Sequence, residues 1–191
     1  METQDPKQRL LDATIAYVAE HGLADLSLRR LAAAIGTSHR MLIYHFGSKE
    51  GLLVAVVRTV EQQQRDAMHE LEVDSSLSES EMMRRMWRRV SDPALAPNAR
   101  LFYELYGQAL AGRDGVEGFL DDIVESWVAP VSAELARRHG LSRADARADA
   151  RLRIAVVRGL LLDLLATGDR KSVDRAHELF VTMCEASVPS R

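Results

Sequence analysis

The sequence predicts an all-α fold of about nine helices, and three observations support this. The chain is rich in strong helix formers such as Ala, Leu, Arg and Glu, and only 5% of its residues are aromatic. Apolar residues recur three or four positions apart, as on one face of a helix, and no segment shows the alternating pattern of a strand. Ser, Gly and Pro stand where helices of ordinary length would begin and end.

Composition and charge restrict the class of protein. The 47% hydrophobic and 28% charged residues are typical of a globular protein. The net charge of −3 argues against a protein that coats nucleic acid without specificity. No apolar run is long enough to span a membrane, and the polar N-terminus does not resemble a signal peptide. Since Cys184 is the single cysteine, no internal disulfide is expected, and we expect a cytoplasmic protein without membrane contact.

Four helices are predicted in the first part of the chain. Pro6 occupies the first position of a helix that ends at His21-Gly22. Ser27 caps the second helix and Gly36 ends it, and Ser48 caps the fourth after a break. These predicted helices cover about residues 6–21, 28–35, 38–46 and 49–72.

Five further helices follow a predicted joint at residues 74–78. Ser142 and Asp145 form a capping box at the start of the eighth. Pro130 predicts a kink within the seventh, because proline removes one backbone hydrogen bond. The predicted ranges are about 79–91, 98–111, 116–138, 142–168 and 171–187. We expect two domains, residues 1–51 and residues 52–191.

The second and third helices form a candidate helix-turn-helix. Ala32 supplies the small side chain needed where two helices cross closely, and Gly36 permits the positive φ of a sharp turn. Leu31, Ile35 and Leu42 are expected to close a small core beneath the pair. The polar side chains that then point outward are Ser38, His39, Arg40 and Tyr44. Side chains of this kind reach base edges and phosphates when a helix enters the major groove.

Residues 28–53 resemble the signature of the tetracycline-repressor (TetR) family. The matching positions are Leu31-Ala32, Gly36, Ser38, His45-Phe46, Ser48-Lys49-Glu50 and Leu52. Ile43 stands where the family usually has a phosphate-contacting Tyr, and Tyr44 occupies the next position. The specific similarity covers about residues 8–55, and the rest of the chain resembles the family in helical layout alone.

The resemblance implies a transcriptional regulator, usually a repressor, whose N-terminal helix-turn-helix domain binds a palindromic double-stranded DNA operator. The predicted DNA-binding residues are Arg29, Thr37, Ser38, His39, Arg40, Tyr44, His45 and Lys49. Arg40 either reads a base or pairs with the phosphate backbone. His45 either orients the third helix or contacts a phosphate.

The remaining helices are expected to form a ligand-binding and dimerisation domain. The eighth predicted helix carries apolar residues on more than one side and the ninth adds an apolar stripe, so a homodimer through these helices is expected. The apolar positions that suggest this are Ile154, Val157, Leu161, Leu164 and Leu165 on the eighth helix, and Val173, Ala176, Phe180, Met183 and Cys184 on the ninth. Gly159 would allow a close helix crossing.

Large aromatic and Met side chains are concentrated in the middle of the chain. The predicted ligand-binding residues are Met83, Met86, Trp87, Phe102, Tyr103, Tyr106, Phe119, Ile123, Trp127 and Leu162. These side chains either fill a core or line an adaptable apolar pocket for a small, mainly hydrophobic effector. Arg158 is the nearby cation that would instead admit an anion.

An enzyme and a helical protein-interaction module are the alternative classes. The sequence lacks a His-Glu-x-x-His metal motif, a phosphate-binding Gly loop and a recognisable nucleophile setting. We therefore expect no catalytic residues, no metal and no cofactor. An interaction module would not need several polar side chains exposed around one short helix.

Overall fold

A computed structural model describes residues 5–21, 26–73, 77–116 and 118–187, and all of its regular structure is helical. Within these residues the α-helices are α1 (Pro6–His21), α2 (Leu28–Ala34), α3 (His39–Phe46), α4 (Lys49–Val73), α5 (Glu79–Val90), α6 (Ala96–Leu110), α7 (Phe119–Ile123), α8 (Glu125–His139), α9 (Arg143–Thr167) and α10 (Arg170–Ser187). A 3₁₀ turn, Pro93–Leu95, precedes α6. The all-α prediction is confirmed. Over these described ranges, none of the helices is both long and apolar enough to cross a membrane.

The predicted helix starts and ends follow the capping residues. A Ser hydroxyl accepts a hydrogen bond from the backbone N–H three residues further on at Ser27, Ser38, Ser78 and Ser142. Gly168 adopts a positive φ of 70° and ends α9. The predicted helix end at Gly22 and residues 74–76 of the predicted joint lie outside the described residues.

The prediction of one helix over residues 116–138 was wrong, because the chain breaks at Val124. Pro130, where a kink was predicted, lies inside α8, six residues beyond the break. The Arg158 guanidinium donates a hydrogen bond to the carbonyl oxygen of Ile123 at 2.9 Å. This bond gives a partner to a carbonyl at the end of α7, where helical hydrogen bonding stops.

The described residues fall into two compact units. The first contains those up to Gln63 together with residues 93–120. In it, α1 packs against α2 and α6, and α2 packs against α3. Its fully buried side chains are Val18, Leu31, Leu42, Leu52, Val56, Leu101, Leu105, Val116 and Phe119. The loop after α6 contacts α4, because Arg58 donates to the carbonyl oxygen of Gly118 at 2.9 Å.

The second unit contains residues 64–92 and the described residues from 121 onward. In it, α9 packs against α8, and α10 packs against α5 and α9. Small and medium side chains fill the α8–α9 interface, including the buried Val128, Leu135, Ala146 and Ala150. Both units are defined by packing alone, so the predicted functional boundary between residues 51 and 52 remains a prediction.

His177 on α10 is a buried polar residue in the second unit. Its imidazole is 2% exposed and stacks on the Trp87 ring, with centroids 4.9 Å apart. Its Nε2 atom has no hydrogen-bond partner in the described part of the chain. Burial lowers the pKa of the His177 imidazole, and the nearby Arg84 lowers it further, against the opposing effect of Glu178 and Asp174.

We expect the protein to lose stability in mild acid through His177. Because the folded-state pKa lies below the ordinary value of 6.5, the unfolded chain binds the proton first. The stability that the neutral His177 contributes is fully present above pH 6.5. It is lost as the pH falls from there through the folded-state pKa, at up to about 1.4 kcal/mol per pH unit. His177→Phe keeps an aromatic ring against Trp87 but cannot bind a proton there. It should therefore reduce the dependence of the free energy of unfolding on pH, which urea unfolding at several pH values measures. An unchanged slope would refute the assignment.

Candidate nucleic-acid interface

The turn between α2 and α3 has the geometry of a helix-turn-helix. Gly36 adopts a φ of 68°, and the Thr37 N–H donates to the carbonyl oxygen of Ala32 at 2.9 Å. Ala32 is 3% exposed, as expected where two helices approach closely. The small residue and the turn glycine therefore have the roles that the sequence predicts for them.

The predicted core beneath this pair of helices is present. Leu31 and Leu42 are 0% and 1% exposed. Ile35 is half-buried at the edge of that core. Since Leu42 is the one fully buried residue of the eight-residue α3, most of this helix faces outward.

The outward face of α3 carries the predicted reading residues. His39 and Arg40 are exposed, and Tyr44 is 80% exposed. Arg40 and Tyr44 lie four residues apart, so they project from the same side of the helix. Sequence reasoning missed that Met41 and Ile43 on this helix are also exposed.

Thr37 and Ser38 occupy the turn rather than the centre of this face. The Ser38 hydroxyl oxygen accepts the Met41 N–H at 3.2 Å and so caps α3. Thr37 is half-buried. Ser38 therefore fixes where α3 begins, and its hydroxyl hydrogen is still a possible donor to DNA.

His45 lies between the exposed face and the interior. Its ring is half-buried, and its Nε2 atom is buried without a hydrogen-bond partner in the described residues. The ring meets the edge of Tyr44 with centroids 5.0 Å apart. This position favours the interpretation in which His45 orients α3 and its neighbour Tyr44.

The α3–α4 junction is tight. Gly47 ends α3 with a φ of 76°, and the Ser48 hydroxyl accepts the Gly51 N–H at 2.9 Å at the start of α4. A Cβ atom on Gly51 would overlap the carbonyl oxygen of Phe46. Sequence reasoning missed this role of Gly51, since a glycine inside a helical pattern gives no sign of what approaches it. The junction places Lys49 on the first turn of α4, where free N–H groups and an ammonium suit a phosphate.

The surface formed by α2, α3 and the start of α4 is locally basic. From Leu26 to Gly51 the chain carries four basic side chains and one acidic side chain, an excess of three positive charges. Arg29 is exposed on α2, and in the described ranges no carboxylate pairs with Arg29, Arg40 or Lys49. These cations are thus available to phosphates although the whole protein is slightly acidic.

Part of the predicted ligand-binding set clusters in the first unit. Phe102 contacts three aromatic rings, with centroids 5.1 Å from Tyr103, 5.6 Å from Tyr106 and 6.2 Å from Phe119. Phe102 and Phe119 are buried, and the two Tyr side chains are half-buried. The sequence pattern therefore located a real aromatic cluster.

The other predicted ligand-binding residues lie in the second unit and have varied surroundings. Trp87 is buried, and its indole N–H donates to Asp174 at 2.8 Å. Trp127 is half-buried, with the Arg65 guanidinium 6.0 Å from its ring centroid. Met86 and Ile123 are buried, Met83 is half-buried, and Leu162 is 49% exposed. Among the described residues, no three His, Cys, Asp or Glu side chains are arranged to hold a metal ion.

The crossing of α2 and α3, with a basic and exposed face on α3, defines a helix-turn-helix protein of the DNA-binding class. A family model described as bacterial regulatory proteins of the tetR family matches residues 10–56. Over this range the chain matches the TetR family of transcriptional regulators, as the resemblance implied. The relatives found are regulators rather than enzymes.

Three similar proteins illustrate the match. The transcriptional regulator BetI 2 of Chromohalobacter salexigens is 38% identical over 73 residues, which is 36% of this chain and about a third (35%) of that protein. The crystal structure of BioQ with its double-stranded DNA operator has a TM-score of 0.63 and 26% identity, and covers 96% of this chain and 99% of BioQ. The multidrug binding protein EbrR, complexed with imidazole, has a TM-score of 0.63 and 27% identity, and covers 99% of this chain and 98% of EbrR.

Proposed function

We propose that the protein is a transcriptional repressor that binds a palindromic operator as a homodimer and is released by a small, mainly hydrophobic effector. The observation that carries this proposal is the exposed face of α3, with Arg40 and Tyr44, inside the matched range 10–56. The structure of BioQ with its operator, a protein of similar fold, supports DNA as the partner. Because such a protein acts on the chromosome, we propose that it works in the cytoplasm.

The proposed DNA contacts divide into two groups. Arg40 at the centre of the α3 face is the candidate for a bidentate contact to a guanine. Arg29 on α2, Tyr44 on α3 and Lys49 at the start of α4 suit phosphate oxygens, which fix the position of α3 on the duplex. Thr37, Ser38 and His39 lie at the start of α3, where side chains also reach the DNA backbone.

The proposed dimer is supported by an apolar stripe along α9 and α10, in which every side chain is exposed. On α9 the stripe consists of Leu152, Ala155, Gly159, Leu162 and Ala166, and on α10 of Ala176, Leu179, Met183 and Ala186. The spacing alternates between three and four residues, as in helices that pack side by side. We call this surface the α9/α10 stripe. An exposed apolar surface of this regularity is typical of a protein–protein interface.

A two-fold dimer explains how two α3 helices reach one operator. A symmetric interface uses the same stripe on both protomers, so each α9/α10 pair packs against its copy. The two α3 helices then read half-sites about 34–36 Å apart, one turn of DNA. This arrangement accounts for the proposed palindrome.

We propose an apolar effector because part of the predicted ligand-binding set forms a cluster of aromatic side chains. The ring cluster around Phe102 offers aromatic surface, with the Tyr103 and Tyr106 hydroxyls as polar groups. Arg158, the cation that would favour an anion, already donates to the Ile123 carbonyl. The similar protein EbrR is described as a multidrug binding protein, and its structure holds imidazole. Release of the operator by small charged anions alone would contradict this part of the proposal.

Release requires that the effector binds the DNA-free conformation more tightly than the DNA-bound one. We propose that α4 transmits this difference. It begins at Lys49 beside α3 and continues to Val73, so a shift of α4 would change the separation of the two α3 helices.

Two substitutions test the proposed DNA contacts. Arg40→Ala should weaken specific binding by about 1–3 kcal/mol and relax the preference at one position per half-site, since it removes a base contact. Lys49→Ala should weaken binding to all sequences alike and lower the slope of log K against log salt by about one per lost phosphate contact. Fluorescence anisotropy with labelled upstream DNA and random duplex measures both effects.

Lys171→Ala, which removes the same positive charge from an exposed position of α10, serves as the control for altered charge. Specific binding that survives the combined loss of Arg40 and Lys49 would refute α3 as the reading helix.

A further inference from the structure

Two apolar side chains flank the polar centre of the α3 face. Successive helical residues are rotated by about 100°, so Ile43 and Met41 lie on opposite sides of the line from Arg40 to Tyr44. Ile43 is 36% exposed and Met41 is 41% exposed, whereas Leu42 between them is buried. Phosphate binding does not use apolar side chains, so the exposure of Met41 and Ile43 on a basic surface needs another explanation.

We infer that Ile43 contacts the C5-methyl group of a thymine in each operator half-site, an inference that rests on the proposed DNA-binding function. In the major groove, thymine is the base that presents a methyl group, and apolar side chains recognise it by contact. A β-branched side chain in a helix holds essentially one χ1 rotamer, so Ile43 offers its methyl groups at a defined position. Met41 is unbranched and flexible, and is less suited to define one position.

The spacing along α3 indicates where this thymine lies. Arg40 and Ile43 are three residues apart, which is about 4.5 Å along a helix axis. Base pairs are about 3.4 Å apart along DNA. The thymine read by Ile43 should therefore lie within about two base pairs of the base read by Arg40. The half-site is thus expected to contain a guanine and a thymine at this short separation.

Deoxyuridine substitution tests the inference, because deoxyuridine differs from thymidine by the C5-methyl group alone. Duplexes that the full chain binds are first selected from a random pool, and each thymine of a half-site is then replaced in turn. Burying one methyl group contributes about 0.8 kcal/mol, so one position per half-site should weaken binding about fourfold. Ile43→Ala should abolish that sensitivity, and Ile43→Val should retain most of it.

Met41→Ala is the matched control, since Met41 is equally exposed on the other side of the face. It should leave the deoxyuridine effect unchanged, and circular dichroism checks that every variant is folded. If no deoxyuridine position weakens wild-type binding, or if Ile43→Ala keeps the sensitivity, the inference is wrong while the proposed function stands. If selection enriches no sequence at all, the proposed function fails as well.

Discussion

Leu179→Glu is expected to convert the proposed dimer into a monomer and to weaken operator binding by more than about 100-fold. A two-fold interface brings the same residue from both protomers to the contact. Leu179→Glu therefore places two carboxylates in an apolar interface. Without the dimer, the second half-site is no longer held close to the second α3 helix. Such linkage typically multiplies affinity by about 10²–10⁴.

The α9/α10 stripe offers two positions where a substitution should disrupt the interface without unfolding the protomer. Leu179 is 62% exposed in the single chain, so a carboxylate there faces water in the monomer and does not disturb its fold. Gly159 provides an independent variant, because a Cβ atom on it meets nothing within 4 Å. Gly159→Trp should therefore fold normally and yet obstruct the packing of two α9 helices.

Light scattering at micromolar concentration measures the oligomeric state, and anisotropy measures operator affinity. Leu110→Glu is the matched control, because it makes the same change at a leucine that is 68% exposed on α6, outside the stripe. It should remain dimeric and bind normally. A Leu179→Glu chain that is still dimeric would exclude the α9/α10 interface.

The helix-turn-helix could be predicted from sequence because local chemistry determines it. Ser27 and Ser38 cap their helices, Gly36 supplies the positive φ, and Ala32 supplies the close contact, all within twelve residues. None of these features depends on distant parts of the chain. The match of residues 10–56 to the family model covers the same region.

The faces of α10 could not be assigned in this way. The predicted apolar face joined Val173 and Cys184, which are buried, with Ala176 and Met183, which are exposed. The buried face actually includes His177, a polar residue that interrupts the hydrophobic pattern. A helix that is apolar on two sides has a periodicity that does not identify which side faces its own chain.

The break at Val124 was missed for a related reason. Its neighbouring residues continue a regular apolar pattern through Ile123, Trp127 and Val131, so periodicity alone predicts one helix. The Ile123 carbonyl is instead bonded by Arg158, 35 positions later in the chain. A contact at that sequence separation has no local signature, and the same holds for the carbonyl oxygen of Phe46 beside Gly51.

Glu79 lies in a largely buried ionic cluster that joins three helices of the second unit. Its two carboxylate oxygens contact Arg153 on α9 and His139 at the end of α8, the latter with a 2.5 Å separation from Nε2. Arg153 also donates to both oxygens of Asp149, at 2.8 and 3.1 Å. The side chains of Glu79, His139 and Arg153 are at most 16% exposed. Water therefore reaches these charges only in part, and they are stabilised mainly by one another.

Glu79→Ala should lower the free energy of unfolding by about 3 kcal/mol, the lower end of the range for breaking a buried ion pair. Arg153 keeps Asp149 as a partner, which limits the loss, but part of its buried positive charge is left uncompensated. A chain of this length should then melt about 6–12 °C lower. Thermal unfolding at one fixed protein concentration measures the change, because a dimer is stabilised by mass action.

Two comparisons separate this cluster from an ordinary surface pair. Glu81→Ala removes a carboxylate from the same helix that pairs with Arg85 and Arg88 on the surface, and it should change stability little. In an Arg153→Met background, Glu79→Ala should cost clearly less than in the wild type, because the buried guanidinium is no longer there. Equal costs in the two backgrounds would show that Glu79 and Arg153 do not stabilise the fold as a pair.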